Sequence, residues 1–306
     1  MTTTHNVDGI LNINKAVGMT SHDVVAKVRR LLKQKRVGHT GTLDPLASGV
    51  LPICVGQATR VAEYLSESGK AYLAEIVFGA VTDTCDAEGT IIRTADASQL
   101  TLAQIEAALP HFLGEQMQVP PRYSAIKLKG QPAYRLARAG EEVALEPRPV
   151  TIYHLAIQTW QPPRLTLAVE CSKGTYIRSL AYDLGERLGC GAYLAALTRT
   201  RSGPFTLSES ITLEQLARAV ENDNLAAYLH PIDSAIQHLP ALYLDAATTV
   251  SVLHGNAFRL PASNSELPTP DQPIRVYAPD GQLLAIAAWD ARQERWQPEK
   301  VFSLSQ

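Results

Sequence analysis

Gly38-His39-Thr40-Gly41-Thr42-Leu43-Asp44-Pro45-Leu46-Ala47-Ser48-Gly49-Val50-Leu51-Pro52 is the stretch on which the reading of this chain turns. Continued to Gly56, it holds four glycines and two prolines among short apolar pieces. That composition predicts a structured loop rather than a regular element. Asp44 before Pro45 admits two readings. Asp is a preferred helix cap and Pro a preferred first helical residue, so the pair could simply open a helix. Alternatively, Gly38 and Gly41 let backbone approach a ligand closely, and a lone carboxylate in such a loop can serve as nucleophile or base. His39 and Asp44 have no third ligand nearby, so no metal site is expected.

Working outward, residues 7–14 read as a strand. Thr20 or Ser21 caps a helix whose apolar stripe is Val24, Val25, Val28, Leu31 and Leu32. The same helix carries Lys27, Arg29, Arg30 and Lys33, with Lys35 and Arg36 just beyond, so one side is positive. That side is either a solvated face or a phosphate-binding surface. Residues 72–78 alternate as a strand, and Tyr72 at its entrance is a packing residue or a site residue. Residues 171–178, Cys-Ser-Lys-Gly-Thr-Tyr-Ile-Arg, run from strand through a glycine turn into a helix. Arg178 then falls in the first helical turn, where the helix dipole disfavours a cation. It gains there from a carboxylate or phosphate partner, or forms an ordinary surface ion pair. Thr101 with Gln104, and Thr212 with Gln215, are capping boxes. Residues 151–160 and 165–171 are strands joined at Pro162-Pro163.

After Gln237 the texture changes to short strand-like runs. Residues 274–278 and 283–289 flank Asp280-Gly281, a hairpin signal, and Pro261, Pro268, Pro270 and Pro273 mark an irregular loop. This divides the chain into a larger part, 1–237, and a small all-β domain, 238–306. The larger part mixes strands and helices without strict alternation, which predicts an α+β layout.

Composition excludes several classes. The longest apolar run, residues 283–289, is far short of the roughly 18 residues a membrane helix needs. No secretory signal opens the chain, so a cytoplasmic protein is expected. The four cysteines, Cys54, Cys85, Cys171 and Cys190, form no C-x-x-C pair and read as buried small apolar residues. There is no nucleotide P-loop, no dinucleotide fingerprint after a strand and no nucleophile elbow. Net charge is only −2, but residues 1–60 and 121–210 each carry +5 against −7 and −5 for the other two stretches. Two basic segments that meet in space can bind phosphates on a protein of neutral total charge.

The three candidate pieces, in their order and spacing, resemble the bacterial tRNA pseudouridine synthases of the TruB family. Residues 38–60 are similar to that family's signature almost throughout. Residues 120–140, with Pro-Pro-Arg-Tyr-Ser-Ala-Ile-Lys-Leu-Lys-Gly, resemble its insertion, expected over about 120–148. Residues 171–178 resemble its arginine motif, and 197–205 the strand that follows. The tail resembles its small RNA-binding β-domain, the PUA domain. The resemblance implies a pseudouridine-synthase catalytic domain, a mixed and largely antiparallel sheet flanked by helices, with a PUA-like tail. It implies isomerisation of a T-loop uridine of tRNA (position 55) to pseudouridine, with the T arm as partner, no cofactor, no metal and a monomeric enzyme. Asp44 aligns with the catalytic aspartate, Tyr72 with the tyrosine that stacks on the base, and Arg178 with the arginine that pairs with the aspartate. His39 aligns with a histidine of base flipping, Leu197 with a pocket wall and Lys15 with a lysine bracing the loop. Arg30, Lys33, Tyr123 and Lys127 are expected RNA contacts. One departure is visible: the family usually has proline after that lysine, and here it is Ala16.

The chemistry fits such a residue set. The reaction breaks a C–N glycosidic bond and makes a C–C bond between the same partners, with no net redox and no group gained or lost. It needs an ionised carboxylate, and a guanidinium beside it offsets burial. A stacked ring and an aliphatic wall hold a detached base by its faces while it turns. A pure RNA-binding protein would share the basic features but has no need of Asp44, Tyr72 and Arg178 together. A Ser172–Lys173 hydrolase fails, because adjacent strand residues point to opposite faces.

Overall fold

The computed structural model describes residues 7–124, 126–128, 130–139, 145–259 and 271–303. The chain begins with β1 (Gly9–Lys15), α1 (Ser21–Leu32), β2 (Val37–His39) and β3 (Ala47–Val55). A 3-10 turn leads to α2 (Ala62–Glu67), β4 (Lys70–Phe78), the pair β5 (Ala80–Thr82) and β6 (Ile91–Thr94), α3 (Leu102–Ala108) and β7 (Gly114–Gln118). Then come β8 (Lys127–Leu128), β9 (Gln131–Pro132), α4 (Ala133–Arg138), β10 (Arg148–Gln161), β11 (Arg164–Cys171), α5 (Ile177–Arg187) and β12 (Ala192–Ser202). β13 (Phe205–Thr206), α6 (Leu213–Glu221) and β14 (Leu229–His230) precede the tail. The tail is β15 (Ala241–Tyr243), α7 (Ala246–Leu253), β16 (Ile274–Tyr277), β17 (Leu283–Asp290) and β18 (Arg295–Val301).

Ten strands make one sheet in the order β14-β1-β3-β12-β4-β11-β10-β7, with β2 beside β3 and β13 beside β12. Its pairings are antiparallel except β3 with β12, which is parallel. This is the mixed, largely antiparallel α+β architecture expected.

The stretch that reads as a loop by its glycines and prolines is in part a central strand. β3 sends Leu51, Ile53 and Val55 into the main core and Val50 and Cys54 into a second core on the opposite face. Burial on both faces removes the polar alternation that would have marked a strand. Pro52 is tolerated because of where it falls. On that flank β12 pairs with Ala47–Gly49 and β2 begins at Ile53. The Pro52 carbonyl instead accepts from the Thr40 amide at 3.2 Å. Its nitrogen, which has no hydrogen to donate, falls just outside the named β2 and β12 pairings on this flank. Asp44 does not cap a helix: its carbonyl accepts from the Ala47 amide at 3.0 Å, closing a turn over Asp44-Pro45-Leu46-Ala47 that feeds β3.

α1 forms as its caps and stripe dictate. The Thr20 hydroxyl accepts from the Asp23 amide, and the Asp23 carboxylate accepts from the Thr20 amide at 2.8 Å. Val24, Val25, Val28 and Leu32 are buried, and Lys27, Arg29, Arg30 and Lys33 are exposed. Both expected capping boxes at Thr101 and Thr212 are present.

The tail strands form a separate sheet, β15-β16-β17-β18, with Asp280-Gly281 turning β16 into β17. α7, capped by Asp245, accompanies them, and the short strand-like runs had not indicated it. Pro261, Pro268 and Pro270 of the expected loop lie outside the described residues. The tail is packed onto the larger part rather than tethered beside it. Ile286 and Phe302 join Ile10, Val50, Val61 and Leu65 in the second core. Lys300 pairs with Glu63 and donates to the Arg60 carbonyl at 2.9 Å, and Arg60 donates to the Val301 carbonyl.

Candidate active site

The parallel β3–β12 contact builds the site. It sets Leu197 beside Ala47 and Arg199 beside Gly49, directly after the Asp44 turn. On its other edge β12 sets Leu197 opposite Ala74 and Arg199 opposite Tyr72. The first turn of α5 supplies Arg178. A cavity of about 260 Å³ results, walled by Asp44, Lys70, Tyr72, Arg178, Leu197 and Arg199 among others. Three of the residues singled out by sequence as catalytic, and Leu197, therefore meet at one place.

The Asp44 turn is tied from several sides. The Leu43 amide donates to the Ser21 hydroxyl at 2.9 Å, and the Gly18 amide to the Pro45 carbonyl at 2.8 Å. Lys15 is wholly buried, and its ammonium donates to the Ala16 and Met19 carbonyls at 2.9 and 2.7 Å. Those two bonds fix the turn in which Ala16 replaces the usual proline. Burial pulls the Lys15 ammonium down to about 8, with the charge of Asp44 opposing the shift.

Arg178 is buried and shared. Its Nη2 lies 2.9 Å from Asp44 Oδ2 and donates to the Tyr123 carbonyl, also at 2.9 Å. Its Nη1 lies 3.3 Å from Asp86 Oδ2 and donates to the Thr84 carbonyl at 3.4 Å. Asp86 is itself anchored, accepting from the Thr84 hydroxyl at 2.6 Å and the Glu88 amide at 3.1 Å. Only the planar fork of a guanidinium reaches two carboxylates and two carbonyls at once. The second carboxylate was not foreseen. Residues 83–89, Asp-Thr-Cys-Asp-Ala-Glu-Gly, hold three acids, and nothing local shows which of them faces inward.

Tyr72 is half-buried against the main core. Burial pushes its phenol above the ordinary tyrosine value, with the Arg199 charge opposing and Asp44 adding to the rise. Arg199 was also missed, although an arginine in the apolar alternation of residues 192–202 was a signal. It is buried, with Nε donating to the Val50 carbonyl at 2.7 Å and Nη2 to the Gly41 carbonyl at 3.3 Å. Gly49 is required for this approach: a Cβ there would sit 2.3 Å from the Arg199 carbonyl oxygen, and φ is +101°. Lys70 caps the end of α2, donating to the Leu65 and Ser68 carbonyls at 2.9 and 2.5 Å. Burial draws it to about 8.

Of the other expected contacts, His39, Tyr123, Arg30 and Lys33 are not among the residues that wall the cavity. His39, at the end of β2, packs edge-on against His22 with ring centroids 5.3 Å apart. Burial lowers its basicity, and His22 and Arg199 lower it further. Tyr123 contributes its carbonyl to Arg178, and its side chain is not part of the cavity wall. Arg30 and Lys33 are exposed on α1, and Lys127 lies in β8 opposite Pro132. Among the described residues no three His, Cys, Asp or Glu side chains gather as a metal site.

Residues 29–177 match the model of the TruB family pseudouridylate synthase N-terminal domain, and residues 178–237 that of the tRNA pseudouridylate synthase B C-terminal domain. The chain is 45% identical over 296 residues to a tRNA pseudouridine synthase B of Dehalococcoides mccartyi (strain CBDB1), covering 97% of each. To that of Stutzerimonas stutzeri (strain A1501) it is 48% identical over 284 residues, covering 92% of this chain and 91% of the relative. Among solved structures, a Cbf5-Nop10-Gar1 complex aligns with TM-score 0.75 at 27% identity, covering 98% of this chain and 86% of the other. An H/ACA RNP bound to a substrate RNA containing 2'-deoxyuridine aligns with TM-score 0.74 at 26% identity, over 97% and 85%. The fold is thus that of the pseudouridine synthases. Within that class the chain belongs to the TruB family, and it is an isomerase that converts uridine in tRNA to pseudouridine.

Proposed function

We propose that the chain acts on a uridine of the T loop, which it flips into the cavity, and that Asp44 starts the reaction. The observation that carries this reading is the Asp44–Arg178 pair at 2.9 Å in the wall of a cavity that Tyr72 and Leu197 also line. Asp44 is 39% exposed while Arg178 is 6% exposed, so the carboxylate keeps a free face toward the cavity while its partner is fixed.

In this reading the C1′–N1 bond breaks under attack or assistance by Asp44. The uracil turns between Tyr72 and Leu197, and C1′ bonds to C5. The C5 proton leaves through Tyr72, and N1 takes a proton from solvent, so the product is an isomer. Flipping the base out of the loop costs a few kcal/mol. Stacking in the cavity and phosphate contacts along the basic side of α1 and the 120–148 insertion offset that cost.

The test is tritium release from C5-labelled unmodified tRNA and from an isolated T-arm hairpin. Wild type is expected to release label from both, and Asp44→Asn to bind RNA normally and release none. Turnover by Asp44→Asn would remove the aspartate-initiated reading. Release from tRNA with label at positions other than the T loop would remove the T-loop reading.

A further inference from the structure

Of the fully buried side chains among the described residues, the largest is a charged one, Arg199. It takes part in none of the ion pairs among the described residues. A buried guanidinium without a carboxylate is costly, and an apolar side chain of similar size would fill the same space. What Arg199 touches indicates why it is charged. Its hydrogen bonds run to Val50 on β3 and to Gly41 in the segment leading to Asp44. Across the β12–β4 ladder it stands directly opposite Tyr72, and opposite residues place their side chains on the same face. Both line the cavity.

We propose that Arg199 is a positioning residue for proton transfer at Tyr72, locking the phenol to the Asp44 segment and supplying the positive charge that a phenolate needs. The idea rests on the reading of Tyr72 given above. The balance is simple. The phenolate oxygen takes the proton that leaves C5, the electrons of the C5–H bond restore the uracil ring, and Tyr72 then returns the proton to solvent as N1 gains one. Around Tyr72, Arg199 stands opposite on β12, Cys171 lies on β11 two residues from the residue opposite, and Asp44 walls the same cavity. Of these Arg199 alone favours the ionised phenol, against burial and the Asp44 charge. Lys70 and Arg178 share the cavity, but Lys70 is spent on the α2 carbonyls and Arg178 on its two carboxylates.

The experiment compares wild type, Arg199→Gln, Arg199→Lys, Tyr72→Phe and the double variants in single-turnover tritium release from about pH 6 to about pH 10, spanning the approach to the ordinary tyrosine range. Arg199→Gln is expected to lose about a hundredfold in rate, within the usual range for general acid–base effects. RNA affinity should be unchanged. The gap to wild type should narrow as pH rises, because hydroxide replaces what the guanidinium supplied. Arg199→Lys should recover much of the rate. In the Tyr72→Phe background the Arg199→Gln change should cost no more than about twofold. A gap that is independent of pH, or the same loss with Phe at position 72, would show a purely structural arginine and overturn the proposal. A fully active Tyr72→Phe overturns it too, through the role of Tyr72, while absence of release by wild type is a failure of the substrate reading instead. If Arg199→Gln does not fold, Arg199→Lys with and without Tyr72→Phe decides by the same comparison.

Discussion

Arg178 holds two carboxylates from separate segments, Asp44 through Nη2 at 2.9 Å and Asp86 through Nη1 at 3.3 Å. The two are unequal. Asp86 is 4% exposed and anchored by its own hydrogen bonds, whereas Asp44 opens to the cavity. Asp86 therefore fixes the guanidinium, and the guanidinium fixes Asp44. Asp86→Asn keeps the shape and removes the charge, so its rate should fall about tenfold or more, each tenfold being about 1.4 kcal/mol of lost stabilisation. Arg178→Lys should lose more, because one ammonium cannot serve both acids. Single-turnover rates beside RNA affinities check both, and the affinities should not move.

The close passage of β3 against β12 gives a second expectation. Gly49→Ala places a methyl against the Arg199 backbone at a positive φ. It should destabilise the protein by more than about 1 kcal/mol. It should also slow catalysis, since Leu197 and Arg199 are displaced from the cavity together. Urea denaturation and tritium release measure the two effects, and a variant as stable and active as wild type would contradict the geometry.

The tail yields a third. Phe302 is 1% exposed in a core shared with Ile10, Val50 and Leu65. Phe302→Ala should cost about 3–5 kcal/mol, as for other buried aromatic truncations. Removing everything after Gln237 should accordingly expose that core and impair folding, and not merely weaken RNA binding as a tethered module would. Thermal melts of the point variant and the solubility of the truncation report this directly.

Two buried lysines give a pH dependence. Lys15 and Lys70 are drawn from 10.5 to about 8 in the folded protein. Between those values the unfolded chain holds protons that the native one lacks, so these groups make stability rise with pH there. Below about pH 8 both buried charges oppose folding. In Lys70→Met the lost hydrogen bonds set a constant offset. The difference between wild type and variant should nevertheless move in favour of wild type from about pH 8 to 10.5. Denaturation curves across that window would show it, and a flat difference would count against a depressed Lys70.

The exposed cations of α1 give a fifth. Arg30→Glu with Lys33→Glu should weaken tRNA binding and flatten its salt dependence, because fewer counterions are released. An unchanged slope would remove this helix from the interface.

The parts of the fold decided locally were legible in the sequence. The caps at Thr20, Thr101 and Thr212 carry their own partners three residues on, and the Val24–Leu32 stripe has helical period. Strands with one exposed face, such as β4 with Leu73 outward, alternate visibly. β3 was hidden because both its faces are covered and Pro52 falls where its neighbours change over. At the site, Asp44, Tyr72 and Arg178 were found by motif. Asp86 and Arg199 were not, because their importance comes from pairings across the sheet and between distant turns. An acid in a turn and an arginine in a strand look alike wherever they occur.

β18 and Phe302 just beyond it brace the segment before α2, and Lys70 in the cavity wall in turn donates to carbonyls at the end of α2. Gln57 and Ser303, hydrogen-bonded to each other, are 246 residues apart. Contacts of such long range must wait for the chain between them, and they slow folding. The order of assembly follows. The Asp44 turn and α1 can form early from neighbouring residues, but one wall of the cavity settles only when the far end of the chain arrives. Binding competence should therefore appear as a late kinetic phase of refolding, after most of the helix and sheet signal has returned.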